Sequence, residues 1–113
     1  MNAETQAELV KLREWAMGGA DRLEYAQGAD RVIGICADLR RSLGLFLTSA
    51  LLPPYIQAAA DRLGRRLAQT RNQGMSLRGG PNAKAWAEEM ASNLQTALMT
   101  LARMISAEIR GLS

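Results

Sequence analysis

Apolar residues recur along this chain at helical intervals, in four blocks divided by glycine or proline. The clearest block runs through Tyr25, Ala29, Val32, Cys36, Leu39, Leu43, Phe46 and Ala50, in steps of four and three residues without a miss. Such a repeat keeps one face of a helix apolar. With Asp21-x-x-Glu24 as a capping signal before it and Pro53-Pro54 as a stop after it, the pattern predicts a helix over 21–52. Gly28 is its weakest point, because glycine inside a helix costs about 1 kcal/mol relative to alanine, and a kink or short break falls most easily there.

The other blocks are read in the same way. Leu9, Leu12 and Ala16, with Trp15 beside them, predict a helix over 4–17 that follows Asn2 or Ala3 and is stopped by Gly18-Gly19. Ile56, Ala59, Ala60, Leu63 and Leu67 predict a helix over 54–72 with the prolines in its first turn. The glycine-rich stretch that follows predicts a mobile loop over 73–81. Asn82 is a good N-cap for a helix over 82–110, whose stripe contains Ala87, Met90, Ala91, Leu94, Leu98, Leu101, Ile105, Ile109 and Leu112. Trp86, Ala97 and Met104 broaden that stripe beyond what one neighbouring helix needs.

The expected fold is an all-α, small four-helix domain with two long helices, occupying residues 1–113 as a single unit and completed as a homodimer. Composition agrees. Helix-forming alanine, leucine and arginine are plentiful, whereas strand-favouring aromatic residues make up only 4% of the chain. At 113 residues, one core suffices. The repeated "GADR" at Gly19 and Gly28, and "AADR" at Ala59, have unequal spacing and reflect composition, not an internal repeat.

Candidate chemistry is sparse. The chain has no histidine and a single cysteine, Cys36. Histidine acid–base chemistry, Ser-His and Cys-His nucleophiles, intrachain disulfides and the usual zinc sites are therefore absent from the expectation. No enzyme activity, metal or cofactor is expected, and Cys36 reads as a small core residue. "GMSLRGG" has the glycines of a phosphate loop but neither its Lys-Ser/Thr ending nor a preceding strand. The first residues show no basic and apolar signal segment, so the expected compartment is the cytoplasm.

The segment Leu43 to Leu52 holds five leucines and the only phenylalanine. It is about half the length that a membrane-spanning helix needs, so no membrane association is expected. On a continuous helix, Phe46, Leu47 and Ala50 share the side of Leu43, while Leu45 and Leu52 fall on the opposite side, at about 180 to 200°, beside Arg41. That second side meets either another helix of the chain or a partner. Arg41, Leu45, Leu52 and Tyr55 are thus candidate partner-binding residues. Met99 joins them because it lies about 140° from Leu94, off the core stripe; Met90 and Met104 read as core.

Charge is unevenly placed: residues 39–84 carry eight bases and one acid, whereas residues 1–38 carry four bases and seven acids. An arginine group of Arg62, Arg65, Arg66, Arg71 and Arg78 is expected, the first four as a basic patch, with Arg40 and Arg41 as possible neighbours. It suits a protein partner, and alternatively the phosphates of a nucleic acid. Few aromatic residues are available to stack on bases, and no nucleic-acid-binding motif can be placed. Asp61 to Arg65 is also an ordinary i, i+4 surface pair.

These features point to binding by apolar helix faces with arginines at the rim. In size and in its helical, Ala/Leu/Arg-rich make-up, with "ADRVIGICADLRRSLGLFLTSALLPPYIQAAADRLGRRL" at its centre, the chain resembles the small quorum-sensing antiactivators. That resemblance implies a regulatory protein that sequesters a LuxR-type transcription factor and blocks its dimerisation or DNA binding. A small basic nucleic-acid-binding regulator is the alternative expectation, and a secretion chaperone or structural subunit is the third.

Overall fold

Gly28 divides the long second helix that the periodicity predicts. Its backbone φ of 85° lies in the left-handed region, which glycine adopts without steric cost. The chain turns there between α1 (Ala3–Glu24) and α2 (Ala29–Leu47), and continues as α3 (Pro54–Leu77) and α4 (Ala83–Leu112). This is a computed structural model that describes residues 3–112, without the side chain of Leu112. Among the described residues there are four helices and no strand, an all-α fold. The predicted roles of Asn2 before the first helix and of the Leu112 side chain in the last stripe lie outside the described residues.

Several predicted boundaries are corrected. The first helix passes through Gly18-Gly19 and ends at Glu24, so Asp21 and Glu24 lie inside it and cap nothing. Its continuation has a packing reason. A Cβ at Gly19 would come 2.9 Å from Leu39 Cδ2 and 3.4 Å from Leu98 Cδ1, so the missing side chain lets α1 approach α2 and α4 closely. The second helix ends at Leu47, not Leu52, and residues 48–53 form the turn that Pro53 leads into α3. Gln57 Nε2 fastens that turn by donating to the Leu47 carbonyl at 2.6 Å.

The third helix runs to Leu77, so most of the predicted mobile loop 73–81 is its last turns. Gly74 is buried against Ile33 and Trp86, and the Trp86 indole N–H donates to Gln73 Oε1 at 3.0 Å. That docking supplies a reason for helix which a glycine-rich string does not display. Asn82 precedes α4 as predicted, and its carbonyl accepts the Trp86 amide at 3.0 Å.

Cross-helix bonds give the topology. Gln95 Nε2 donates to the Ala20 carbonyl and Arg13 to Ser106 Oγ, so α1 runs antiparallel to α4. Arg22 pairs with Asp38, and the Trp15 indole donates to Ser42 Oγ at 2.8 Å, so α1 also runs antiparallel to α2. Tyr55 bonds Glu108 while Gln73 bonds Trp86, which sets α3 antiparallel to α4. The result is an elongated up-down-up-down bundle, 51 × 22 × 16 Å in Cα extent. One core runs through it, with Leu12, Leu43, Leu67 and Leu98 fully buried, one from each helix. The predicted stripes supply most of it, although Tyr25, at the break, and Ala50, beyond the end of α2, are exposed, while Ala20, Leu23, Ile33, Ile35, Leu52 and Ala102 join the core from outside those stripes.

Candidate functional site

The buried stripe of α3 consists of Ile56, Ala60, Leu63, Gly64, Leu67, Thr70 and Gly74. The arginines therefore emerge on the remaining arc, and α3 carries four of them against the single acid Asp61. The expected basic patch is not one cluster. Arg62 and Arg66, one turn apart, border a groove toward α4, whereas Arg71 borders a second groove toward α2. Arg65 lies on the exposed surface and pairs with Asp61 at 3.1 Å, a contact worth little in water.

The α3/α4 groove has a volume of about 450 Å³. Its apolar lining comes from Ala59 and Leu63 on α3 and from Ala97, Leu101 and Met104 on α4. Ala59 and Ala97 have too little side chain to fill the space between the two helices. Arg62 and Arg66 stand on one side, and Asn93, Thr96 and Thr100 on the other. The threonine hydroxyls donate back into their own helix, Thr96 to the Ser92 carbonyl at 3.2 Å and Thr100 to the Thr96 carbonyl at 2.8 Å. Among the described residues no carboxylate lines this groove.

The α2/α3 groove, about 430 Å³, is lined by Arg40, Arg41 and Arg71 with Asn72, above Ala37 and Ala68. Arg71 Nη1 donates to Asn72 Oδ1 at 3.3 Å, and Arg41 stands 4.0 Å from Asp38, whose carboxylate is held more closely by Arg22 at 3.0 Å. Arg40 and Arg41, expected only as possible neighbours of the patch, are thus brought to Arg71.

The five predicted partner-binding residues do not form one surface. Arg41 and Leu45 are exposed one turn apart on α2, as the helical angles require. Leu52 is corrected: only 4% exposed, it belongs to the core. The chain leaves the helix at Thr48, so an angle extrapolated to residue 52 has no meaning. Met99 is half-buried and packs against the core. It shares its side of α4 with Gln95 and Ser106, both bonded to α1, which places it at the α1/α4 seam. Tyr55 is half-exposed, and its phenol donates to the Glu108 carboxylate, tying the start of α3 to the end of α4. That hydrogen bond, with burial and the Glu108 charge adding to it, raises the phenol pKa above its ordinary value. Leu51, missed in the sequence pattern, joins Leu45 and Tyr55 as an exposed apolar residue near the α2–α3 turn.

The polar groups at the two grooves are guanidinium, carboxamide and hydroxyl groups, which can hold and orient a ligand. Cys36 lies in the core, where burial pushes its thiol up to about 11. Among the described residues no group of three or more Cys, Asp or Glu is arranged to hold a metal ion. No described helix is long and apolar enough to cross a membrane. Comparison with protein-family models, with curated proteins and with solved structures finds no match.

Proposed function

We propose that this is a small cytoplasmic regulatory protein that acts by binding another protein, in the manner of an antiactivator that sequesters a LuxR-type transcription factor and blocks its dimerisation or DNA binding. The observation that carries this reading is the α3/α4 groove, apolar at its floor and edged by Arg62 and Arg66. An apolar floor supplies affinity through water release, and rim arginines supply orientation and on-rate. The same reading includes a homodimer, joined through the exposed Leu45, Leu51 and Tyr55 near the α2–α3 turn.

The test uses a LuxR-type receptor from the same genome, bound with its autoinducer to a fluorescent operator duplex. Adding the purified protein lowers the anisotropy of the duplex as receptor is withdrawn; unchanged receptor–DNA binding at a large excess of the protein overturns the antiactivator reading. Sedimentation tests the dimer: a monomer at tens of micromolar would exclude it.

The convergence of Arg40, Arg41 and Arg71 on one groove favours a second reading, a basic nucleic-acid-binding regulator that also uses Arg62, Arg65 and Arg66. Binding to DNA would weaken steeply with salt, because released counterions drive it. A salt-sensitive gel shift abolished by Arg65→Ala with Arg66→Ala would replace the protein-partner reading by this one.

A further inference from the structure

The α3/α4 groove constrains what can occupy it more closely than the regulatory reading alone does. Its apolar lining lies between two long antiparallel helices, a shape that accepts a third helix laid lengthwise. Arg62 and Arg66 stand four residues apart on one edge, and neither side chain has a partner among the described residues. Arg65, the arginine between them in sequence, is already paired with Asp61. Two free guanidinium groups one turn apart match two carboxylates one turn apart on an incoming helix. The opposite edge, with Asn93 and two threonines, is neutral.

A second copy of this chain is a poor occupant. A two-fold contact whose axis crosses the groove would set Arg62 and Arg66 of one copy against the same pair of the other, where like charges cost affinity, and one whose axis runs along the groove would set them against the neutral Asn93, Thr96 and Thr100, which offer no carboxylate. A nucleic acid is also poorly matched, because the floor between the arginines and α4 is apolar and has no aromatic ring on which a base could stack.

We propose, resting on the protein-binding reading above, that the α3/α4 groove is a docking site for an amphipathic helix of a partner protein. That helix lays its apolar face over Ala59, Ala97 and Met104, above the buried Leu63 and Leu101, and presents acidic residues at i and i+4 to Arg62 and Arg66.

The probe is a displayed library of helical peptides with varied surface positions, selected on the intact protein. The expected winners have an apolar stripe flanked by Asp or Glu four residues apart. Arg62→Glu with Arg66→Glu weakens them at least tenfold, and changing the peptide's acids to lysine restores binding to that variant. Both arginines are exposed, and an unchanged thermal midpoint shows that the variant is folded. Ala97→Trp fills the groove without altering charge, and it also abolishes binding. Winners without acidic pairs, winners indifferent to both variants, or no winners at all would overturn the docking site. Peptides that depend on Leu45 and Tyr55 instead would overturn the groove but leave the protein-binding reading standing. Receptor–DNA binding that stays unaffected, with a salt-sensitive DNA shift, would remove that reading as well.

Discussion

Gly74 in α3 lies directly beneath the indole of Trp86 in α4, so that a Cβ on Gly74 would overlap the ring and come 2.6 Å from Ile33 Cγ1. The glycine therefore joins α2, α3 and α4 at one point, at the end of the bundle where α3 passes into α4. Gly34, in the exposed face of α2, has nothing within 4 Å of such a Cβ. Alanine should have opposite effects at the two positions. At Gly34 it gains the helix propensity that glycine lacks, about 0.5 to 1 kcal/mol. At Gly74 the same gain is outweighed by overpacking, which costs about 1 to 3 kcal/mol. Urea unfolding of Gly34→Ala and Gly74→Ala measures both, and a stabilised Gly74→Ala would show that Trp86 is not seated on that glycine.

Leu45 and Leu52 separate just as sharply. Leu45 is 78% exposed on α2, and Leu52 is buried beneath the turn that follows it. Leu52→Ala should cost about 2 to 5 kcal/mol, the range for removing a buried leucine side chain. Leu45→Ala should leave the stability of the monomer within about 0.5 kcal/mol. Equal effects of the two substitutions on the denaturation midpoint would contradict this arrangement.

That pair also shows what the sequence could and could not reveal. Helical periodicity works while the chain remains a helix, so it placed Leu43 inside and Leu45 outside correctly. It failed at Leu52 because the helix ends at Leu47, where no glycine or proline marks the end. The reverse error occurred at Gly18-Gly19, where a strong stop signal is overridden by contact with Leu39 and Leu98. Gly28 was readable as the weak point of the long repeat, and the break falls there. The arginines of α3 were legible as a group, but not their division between two grooves. Which side of α3 faces α2 and which faces α4 depends on contacts distant in sequence, and so does the gap beside Ala59 and Ala97.

The lone thiol reports on opening of the core. Cys36 is fully buried, and burial raises its pKa to about 11, so at pH 8 it is both protonated and out of reach. The native protein should react with a thiol reagent such as Ellman's at a rate set by unfolding, and that rate should rise with added urea. Gly74→Ala, through its lower stability, should speed the reaction. Full labelling of the native protein within seconds at pH 8 would mean that Cys36 is reachable without unfolding.

The bond from Tyr55 to Glu108 makes an alkaline prediction. It favours the protonated phenol, so the folded-state pKa lies above the value of about 10 that tyrosine has in an unfolded chain. Because the folded value is the higher one, the bond's contribution to stability is complete below about pH 10 and is lost as pH rises through the folded value. Near neutral pH, Tyr55→Phe should be the less stable protein, and its difference from the wild type should shrink only above about pH 10. The chain has two tyrosines, so Tyr25→Phe leaves Tyr55 as the only phenol to follow by ultraviolet absorbance. In that background Tyr55 should titrate above about 10, and Glu108→Ala should lower its pKa toward the ordinary value. A titration already at the ordinary value, unmoved by Glu108→Ala, would mean that the two ends of α3 and α4 are not joined by this bond in solution.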